Sequence, residues 1–301
     1  MSKMRLQPSN FIRTYQILNS TGSFDLATRV FKQGVSKQVL NFLSMGGKFH
    51  QEGGQWVAEF GRQRIAFGRL SGREFHILES LESIEFAGWT VMINDGDDII
   101  AKTDQRTIRF ESYESVLNML EFFVEYECLK VQGATVIDIG AYKGESALYF
   151  WGRGARRVLA LEPFPDFYRH ALSTVRKNGL TDVIEFRNAG IGEAVRKSGD
   201  NEIGSGSLLS IKDFQKWISE NRSEGTDLVL KIDCEGCEYE LYRNPESVMI
   251  WKNLGITQFV MEYHEEGDIS VLIRNWKANG FNICRILKKS DRVGIIYGYI
   301  E

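Results

Sequence analysis

The chain has no run of about 18 or more apolar residues, which excludes an ordinary membrane-spanning helix. Its opening residues, Met1-Ser2-Lys3-Met4-Arg5, lack the apolar core that a secretory signal needs. Cysteine is sparse: Cys128, Cys234, Cys237 and Cys284 are the four in 301 residues. That is too few for a disulfide framework, so reduced thiols and a cytoplasmic location are expected. There is no basic excess either. With 37 Lys and Arg against 40 Asp and Glu, the net charge is −3, and the molecule as a whole has no nucleic-acid signature. What is present, 43% hydrophobic residues, can bury a sizeable core, as one large domain or as a domain with an accessory region.

The charge is unevenly spread. Residues 1–70 hold ten basic and three acidic side chains, a net of +7. Residues 71–130 hold five and thirteen, a net of −8, and the remainder carries −2. Such asymmetry marks either a surface for an anionic partner or two neighbouring parts that neutralise each other.

Patterning divides the chain into an accessory α+β region, residues 1–112, and a second domain, residues 113–301. In the first, Phe24–Met45 has apolar residues at helical spacing, interrupted near Gly34. Gln55–Phe60 and Arg64–Phe67 read as strands joined at Gly61-Arg62. Trp89–Asn94 and Ile99–Thr103 read as a hairpin around Asp95-Gly96-Asp97, which Arg106–Phe110 extends. That acidic turn lacks the remaining ligands of a calcium loop.

From Ser115 helices and strands alternate. A helix through Val116, Leu120, Phe123 and Val124 precedes strands at 135–139, 157–161, 183–188, 227–232 and 256–262. Pro165–Asn178 reads as a helix stopped by Gly179, Asp213 as the cap of a helix through Trp217, and Val271–Trp276 as the last helix. Two further strands, Phe281–Leu287 and Val293–Ile300, follow without a helix between them. The alternation predicts a mostly parallel α/β sheet with right-handed crossovers, and the closing pair predicts an antiparallel strand inserted at one edge.

The most informative segment is Val136-Ile137-Asp138-Ile139-Gly140-Ala141-Tyr142-Lys143-Gly144-Glu145-Ser146. A β-branched run ends in an acid, turns through two glycines and enters a helix. A second apolar run ends at Glu162, 22 residues after Gly140, where a carboxylate can reach a ribose diol. Dinucleotide sites use Gly-x-Gly-x-x-Gly. Here the third glycine is missing, and an acid beside the turn repels pyrophosphate but suits the ammonium of a methionyl group. The pattern resembles the first motif of class I S-adenosylmethionine (SAM) methyltransferases, with a seven-stranded Rossmann-like sheet. Gly140, Ala141, Gly144 and Ser146 are then candidate cofactor contacts, Asp138 faces the ammonium, Glu162 the ribose and Asn188 the adenine edge.

A second cluster lies at the ends of the fourth and fifth predicted strands: Asp233-Cys234-Glu235-Gly236-Cys237-Glu238, and Glu262-Tyr263-His264-Glu265-Glu266. Ligands of open α/β sheets bind beyond the carboxyl ends of strands. Neighbouring strands, about 5 Å apart, would crowd Asp233, Glu235, Glu262 and His264 together. Such crowding should raise a carboxyl pKa and that of His264. A divalent metal on Asp233, Glu235 and Glu262 would relieve the repulsion. Cys234-x-x-Cys237 is compatible with zinc or redox chemistry, but without further paired cysteines it reads as buried thiols.

Lys231-Ile232-Asp233-Cys234-Glu235-Gly236-Cys237-Glu238 resembles the Lys-Ile-Asp-x-Glu-Gly-x-Glu signature of the FkbM family of SAM-dependent methyltransferases. Val136–Gly144, Glu162-Pro163 and Glu262-Tyr263-His264 stand where that family has its related motifs. The resemblance covers residues 115–290, and it implies O-methylation of a hydroxyl on a small molecule, sugar or glycolipid. Cys234, Cys237 and the Tyr142-Lys143 pair depart from the family's usual residues. A hydroxyl is a poor nucleophile and needs a base or a metal. His264 is the candidate base, with Asp233 and Glu262 as further catalytic candidates, and Asp233 is also placed to hold the methionine part. Ser205-Gly206-Ser207 reads as a loop over the site. The alternatives are an RNA methyltransferase guided by the basic first 70 residues, a non-catalytic SAM-binding module, and an NAD-dependent dehydrogenase, which the missing glycine disfavours.

Overall fold

The computed structural model describes residues 8–300 apart from 24–25, 28–35, 68–76, 79, 95–97, 111–114, 117, 120–121, 123–124, 192–206, 236–237, 239–244, 265–267 and 291. The chain forms two compact units, Met1–Phe123 and Val124–Glu301. The division falls within the segment that the sequence reads as the first helix of the second domain; of that segment, Leu120, Phe123 and Val124 lie outside the described residues.

The first unit holds helices α1 (Pro8–Thr21) and α2 (Ser36–Ser44) and a six-stranded sheet, with β1 (Lys48–Glu52), β2 (Gln55–Phe60) and β3 (Gln63–Phe67) before helix α3 (Leu81–Phe86). Strands β4 (Thr90–Asn94), β5 (Asp98–Lys102) and β6 (Thr107–Phe110) follow, and all six lie side by side in chain order. The two expected hairpins are present, and β6 extends the second. Strand β1, Lys-Phe-His-Gln-Glu, escapes a hydropathy reading because it is polar and largely exposed. The β3–β4 pair is parallel and needs a crossover. Buried Gln63 ties it together: its amide nitrogen donates to Trp89 O at 2.8 Å and its oxygen accepts from Val91 N at 2.7 Å.

In the second unit β7 (Thr135–Ile139), α4 (Glu145–Gly152), β8 (Arg157–Leu161), α5 (Pro165–Lys177) and β9 (Ile184–Arg187) alternate as expected. A short parallel pair, β10 (Ala189–Ile191) and β11 (Ser207–Leu209), precedes α6 (Ile211–Asn221). Then come β12 (Leu228–Ile232), α7 (Pro245–Leu254), β13 (Ile256–Tyr263), α8 (Ile269–Ala278), β14 (Asn282–Lys288) and β15 (Gly294–Tyr299). Seven strands form one sheet in the order β14-β15-β13-β12-β7-β8-β9. All pairs are parallel except those of β15, which lies antiparallel between β13 and β14. This is the Rossmann-like methyltransferase sheet, and it is mixed rather than all parallel.

Strands β7 and β12 are buried along their whole length, as the centre of a sheet covered on both faces requires. Phe259 of β13 stacks on Trp276 of α8 with ring centroids 3.8 Å apart. Burying a side chain of the size of Phe259 stabilises the fold by about 1.5–3 kcal/mol. Helix α5 ends at Lys177, just before Gly179, whose φ is +67°. One cap differs from expectation. Ser210, not Asp213, caps α6: its Oγ accepts the Asp213 amide at 3.2 Å and donates to the Asp213 carboxylate at 2.6 Å, a reciprocal arrangement that satisfies both groups. Ser207, read as part of a loop, begins β11, while Ser205 and Gly206 lie outside the described residues.

Candidate functional site

Sheet order reverses between β7 and β12, and the chemistry-bearing residues meet at the carboxyl ends of those strands. After β7 the chain turns so sharply that the Gly140 and Ala141 amides both donate to Leu161 O, at 3.1 and 3.0 Å. Gly140 has φ +77°, and a Cβ there would stand 1.7 Å from Asp233 O. No other residue fits. Tyr142 also adopts a left-handed conformation, φ +48°, which is rare for a side-chain-bearing residue. Gly144, φ +91°, is the N-cap of α4 and provides no side-chain cap.

Asp138 and Ser146 are joined to each other. Asp138 is fully buried: Oδ2 accepts from Ser146 Oγ at 2.6 Å, and Oδ1 lies 3.1 Å from Lys231 Nζ. The two residues are register partners on adjacent strands, and a buried ammonium demands a carboxylate. Lys231 also donates to Gly140 O at 2.6 Å and reaches Ile139 O at 3.4 Å. Burial pulls its pKa down, but Asp138 and Asp233 outweigh that and raise it. Asp138, expected to face a methionyl ammonium, is engaged by this internal ion pair. A lone lysine in an otherwise apolar buried strand, Leu-Val-Leu-Lys-Ile, is the sequence signal that announces such a partner. Ala141 is buried as well.

Glu162 stands at the end of β8. Its two oxygens accept the Tyr142 and Phe164 amides, each at 2.8 Å. Burial pushes its carboxyl up to about 7, partly offset by those two amides and by Lys231. Asn188 donates to the carbonyls of Glu162 and Pro163 at 2.9 and 3.1 Å, fixing the loop that carries the carboxylate. Tyr142 packs on Phe167 with centroids 4.3 Å apart, and Phe164 packs on the same ring at 5.7 Å, an aromatic group beside Glu162.

The second cluster assembles at the ends of β12 and β13. His264 Nδ1 lies 3.2 Å from Oε1 of Glu238, a fully buried carboxylate that also accepts the Cys234 amide at 3.1 Å. His264 Nε2 lies 3.5 Å from Glu235 and 3.9 Å from Glu262. Burial lowers the imidazole pKa, yet the Glu238 hydrogen bond and the charges of Glu238, Glu235 and Asp233 carry it up to about 9. That shift favours the imidazolium at neutral pH. It must lose its proton before it can act as the expected base.

Burial and then the Asp233 charge raise Glu262 to about 7, against the opposing Lys289. Lys289 Nζ sits 3.1 Å from Glu262 and 2.5 Å from Glu125, a cation that no sequence signal connects to the site. Glu235, at 80% side-chain exposure and φ +54°, lies at the rim. Ligand atoms of Asp233, Glu262 and His264 converge within 4.8 Å of one another, so His264 replaces Glu235 in the set that could hold a cation. Cys234 is disulfide-bonded, contrary to the reduced thiol expected there. Cys237 lies outside the described residues, and Cys128 and Cys284 are free. Among the described residues no helix is long and apolar enough to cross a membrane.

No protein-family profile matches the chain, and no curated protein does. Among solved structures it is similar to Aeropyrum pernix fibrillarin with natively bound S-adenosyl-L-methionine, at 17% identity over 70% of this chain and 94% of that one, with a TM-score of 0.43. It is similar also to an O-methyltransferase from Bacillus cereus in complex with S-adenosylhomocysteine (SAH), at 15% identity over 64% and 82% of the two chains, TM-score 0.39. A SAM-dependent methyltransferase from Aquifex aeolicus gives 14% identity over 59% and 88%, TM-score 0.36. What those proteins bind is a property of theirs. The fold of this chain is read from its own strand order.

Proposed function

We propose that this protein is a SAM-dependent methyltransferase acting on a hydroxyl of a small molecule, sugar or glycolipid, as its resemblance to the FkbM family implies. One observation carries the reading. The glycine turn with Glu162 and the Asp233–Glu262–His264 cluster stand on adjacent strands at one edge of the sheet, β8-β7-β12-β13. Donor and acceptor chemistry are thereby brought together.

The residues fit the cofactor. The backbone of the turn at 140–144, leading into α4, and the Glu162 carboxylate offer donors and an acceptor for a carboxylate-bearing, ribose-bearing ligand. When bound, SAM supplies a methyl group on a sulfonium, and transfer is an in-line displacement in which positioning provides much of the rate. The chain's own part is then deprotonation of the acceptor. Neutral His264 takes the hydroxyl proton at Nε2, while buried Glu238 holds Nδ1 and orients the ring. Glu262 and Asp233 bound the space in which the hydroxyl sits.

A second reading is favoured by the convergence of Asp233, Glu262 and His264. Those three would hold a divalent ion, whose chemistry is to lower the pKa of a bound hydroxyl. Lys289 already neutralises Glu262 and would have to give way.

Thermal melts with SAH and with NAD test the cofactor reading. Saturation at about a hundredfold excess over Kd stabilises by about 2.7 kcal/mol, so SAH is expected to raise Tm by several degrees and NAD to leave it unchanged. Stabilisation by NAD without SAH would overturn it.

A further inference from the structure

We propose that Lys231 is a positioning residue for the SAM site: its ammonium, beneath the glycine turn, sets the backbone that receives the cofactor. The proposal rests on the cofactor reading above and adds a role to a buried group that the transfer chemistry does not use. Lys231 is 1% exposed, next to last in a strand whose other residues are aliphatic. Placing a charge there is costly unless its contacts do something that an apolar residue cannot. Its contacts are specific. Nζ donates to Gly140 O at 2.6 Å, approaches Ile139 O at 3.4 Å, and faces Asp138 Oδ1 at 3.1 Å, with Asp233 Oδ2 at 3.9 Å.

These contacts act on one object. Gly140 is already in a left-handed conformation, with its Cα pressed against Asp233 O, and its carbonyl is the first of the turn. The ammonium fixes the direction of that carbonyl and hence of its own peptide unit, whose amide, that of Ala141, is held on Leu161 O. Through Asp138 the same ammonium anchors Ser146 in the first turn of α4. Both ends of the loop from 140 to 146 are therefore pinned to one charge. The strand that carries Asp233 and the turn that carries the cofactor amides are locked in register by it. Lys231 has no surface from which to touch ligand, so its effect passes through the loop.

The test uses the full chain with SAH as probe. Lys231→Met leaves Asp138 buried without a counter-charge and is expected to melt well below wild type. The informative variant is therefore Lys231→Met combined with Asp138→Asn, which removes both charges. In that variant the apo Tm should return to within a few degrees of wild type. SAH affinity by calorimetry should remain about tenfold or more weaker, the scale of one lost charge-assisted hydrogen bond. Amide hydrogen exchange over residues 140–146 should be faster. A double variant that regains both Tm and wild-type SAH affinity would make the pair merely structural and sink the proposal. Failure of the wild-type protein to bind SAH would instead refute the cofactor reading, and the wild-type titration separates the two.

Discussion

The Tyr142 amide donates to Glu162 Oε2 at 2.8 Å, so the turn after β7 and the carboxylate after β8 are joined directly before any ligand arrives. Burial, only partly countered by this bond and its Phe164 counterpart, raises Glu162 to about 7. A ribose diol donates to an ionised carboxylate. SAH affinity should therefore climb as pH rises towards 7, by up to about tenfold per unit, and level off above it. Stability of the apo protein should move the other way. The folded state holds its proton more tightly than the unfolded state, whose Glu ionises near 4.5, so stability falls as pH rises from 4.5 to about 7. Calorimetric titrations between pH 5.5 and 8.5 check the first expectation, and Glu162→Gln should flatten the profile. A flat wild-type profile would remove the diol contact.

His264→Ala should slow methyl transfer about a hundredfold or more, the usual contribution of a general base, while SAH affinity stays within about threefold. Single-turnover measurements with a competent hydroxyl acceptor decide this. Unchanged turnover would transfer the base role elsewhere.

Gly140→Ala should cost more than about 2 kcal/mol of stability. The added Cβ would stand 1.7 Å from Asp233 O, and backbone cannot step aside as a flexible side chain can. Urea unfolding measures it. Gly179→Ala is the control: a left-handed glycine with open space around its Cβ, where strain alone sets a smaller loss.

Lys289 holds Glu262 and Glu125 together as a tethered cation. If a divalent ion belongs at Asp233, Glu262 and His264, Lys289→Met should bind Mn2+ about tenfold more tightly than wild type, because competition for Glu262 is removed. Adding Asp233→Asn should abolish the gain. Equal Mn2+ affinity in wild type and Lys289→Met would argue for a site that works without metal.

Much of the second unit was legible because its strands are short aliphatic runs punctuated by glycine and acids. Thr135–Ile139, Arg157–Leu161, Leu228–Ile232 and Ile256–Tyr263 all fall within a residue or so of their expected bounds. The insertion of β15 followed from two strands with no helix between them. The gathering of Asp233, Glu262 and His264 followed from placing β12 beside β13. Less accessible was the direction in which each carboxylate points. The pairing of Asp138 with Lys231 was hidden because the two are 93 residues apart in the chain and adjacent only through the β7–β12 register. Glu238 and Lys289 shape the imidazole and Glu262 from a turn and a hairpin whose geometry no local pattern encodes. Strand β1 and helix α3 were missed for a different reason: both are short and rich in polar residues.

Strand β15 lies between β13 and β14 although it is the last of the three in the chain. Strand β13 therefore finds its second neighbour only in a strand that follows β14 in the chain. A chain stopped after β14 would leave β14 unpaired and one edge of β13 open to pairing with other chains. It would also lack the return strand that closes the hairpin carrying Lys289, and so the cation between Glu125 and Glu262. The acidic mouth thus depends on the same strand that joins the edge of the sheet.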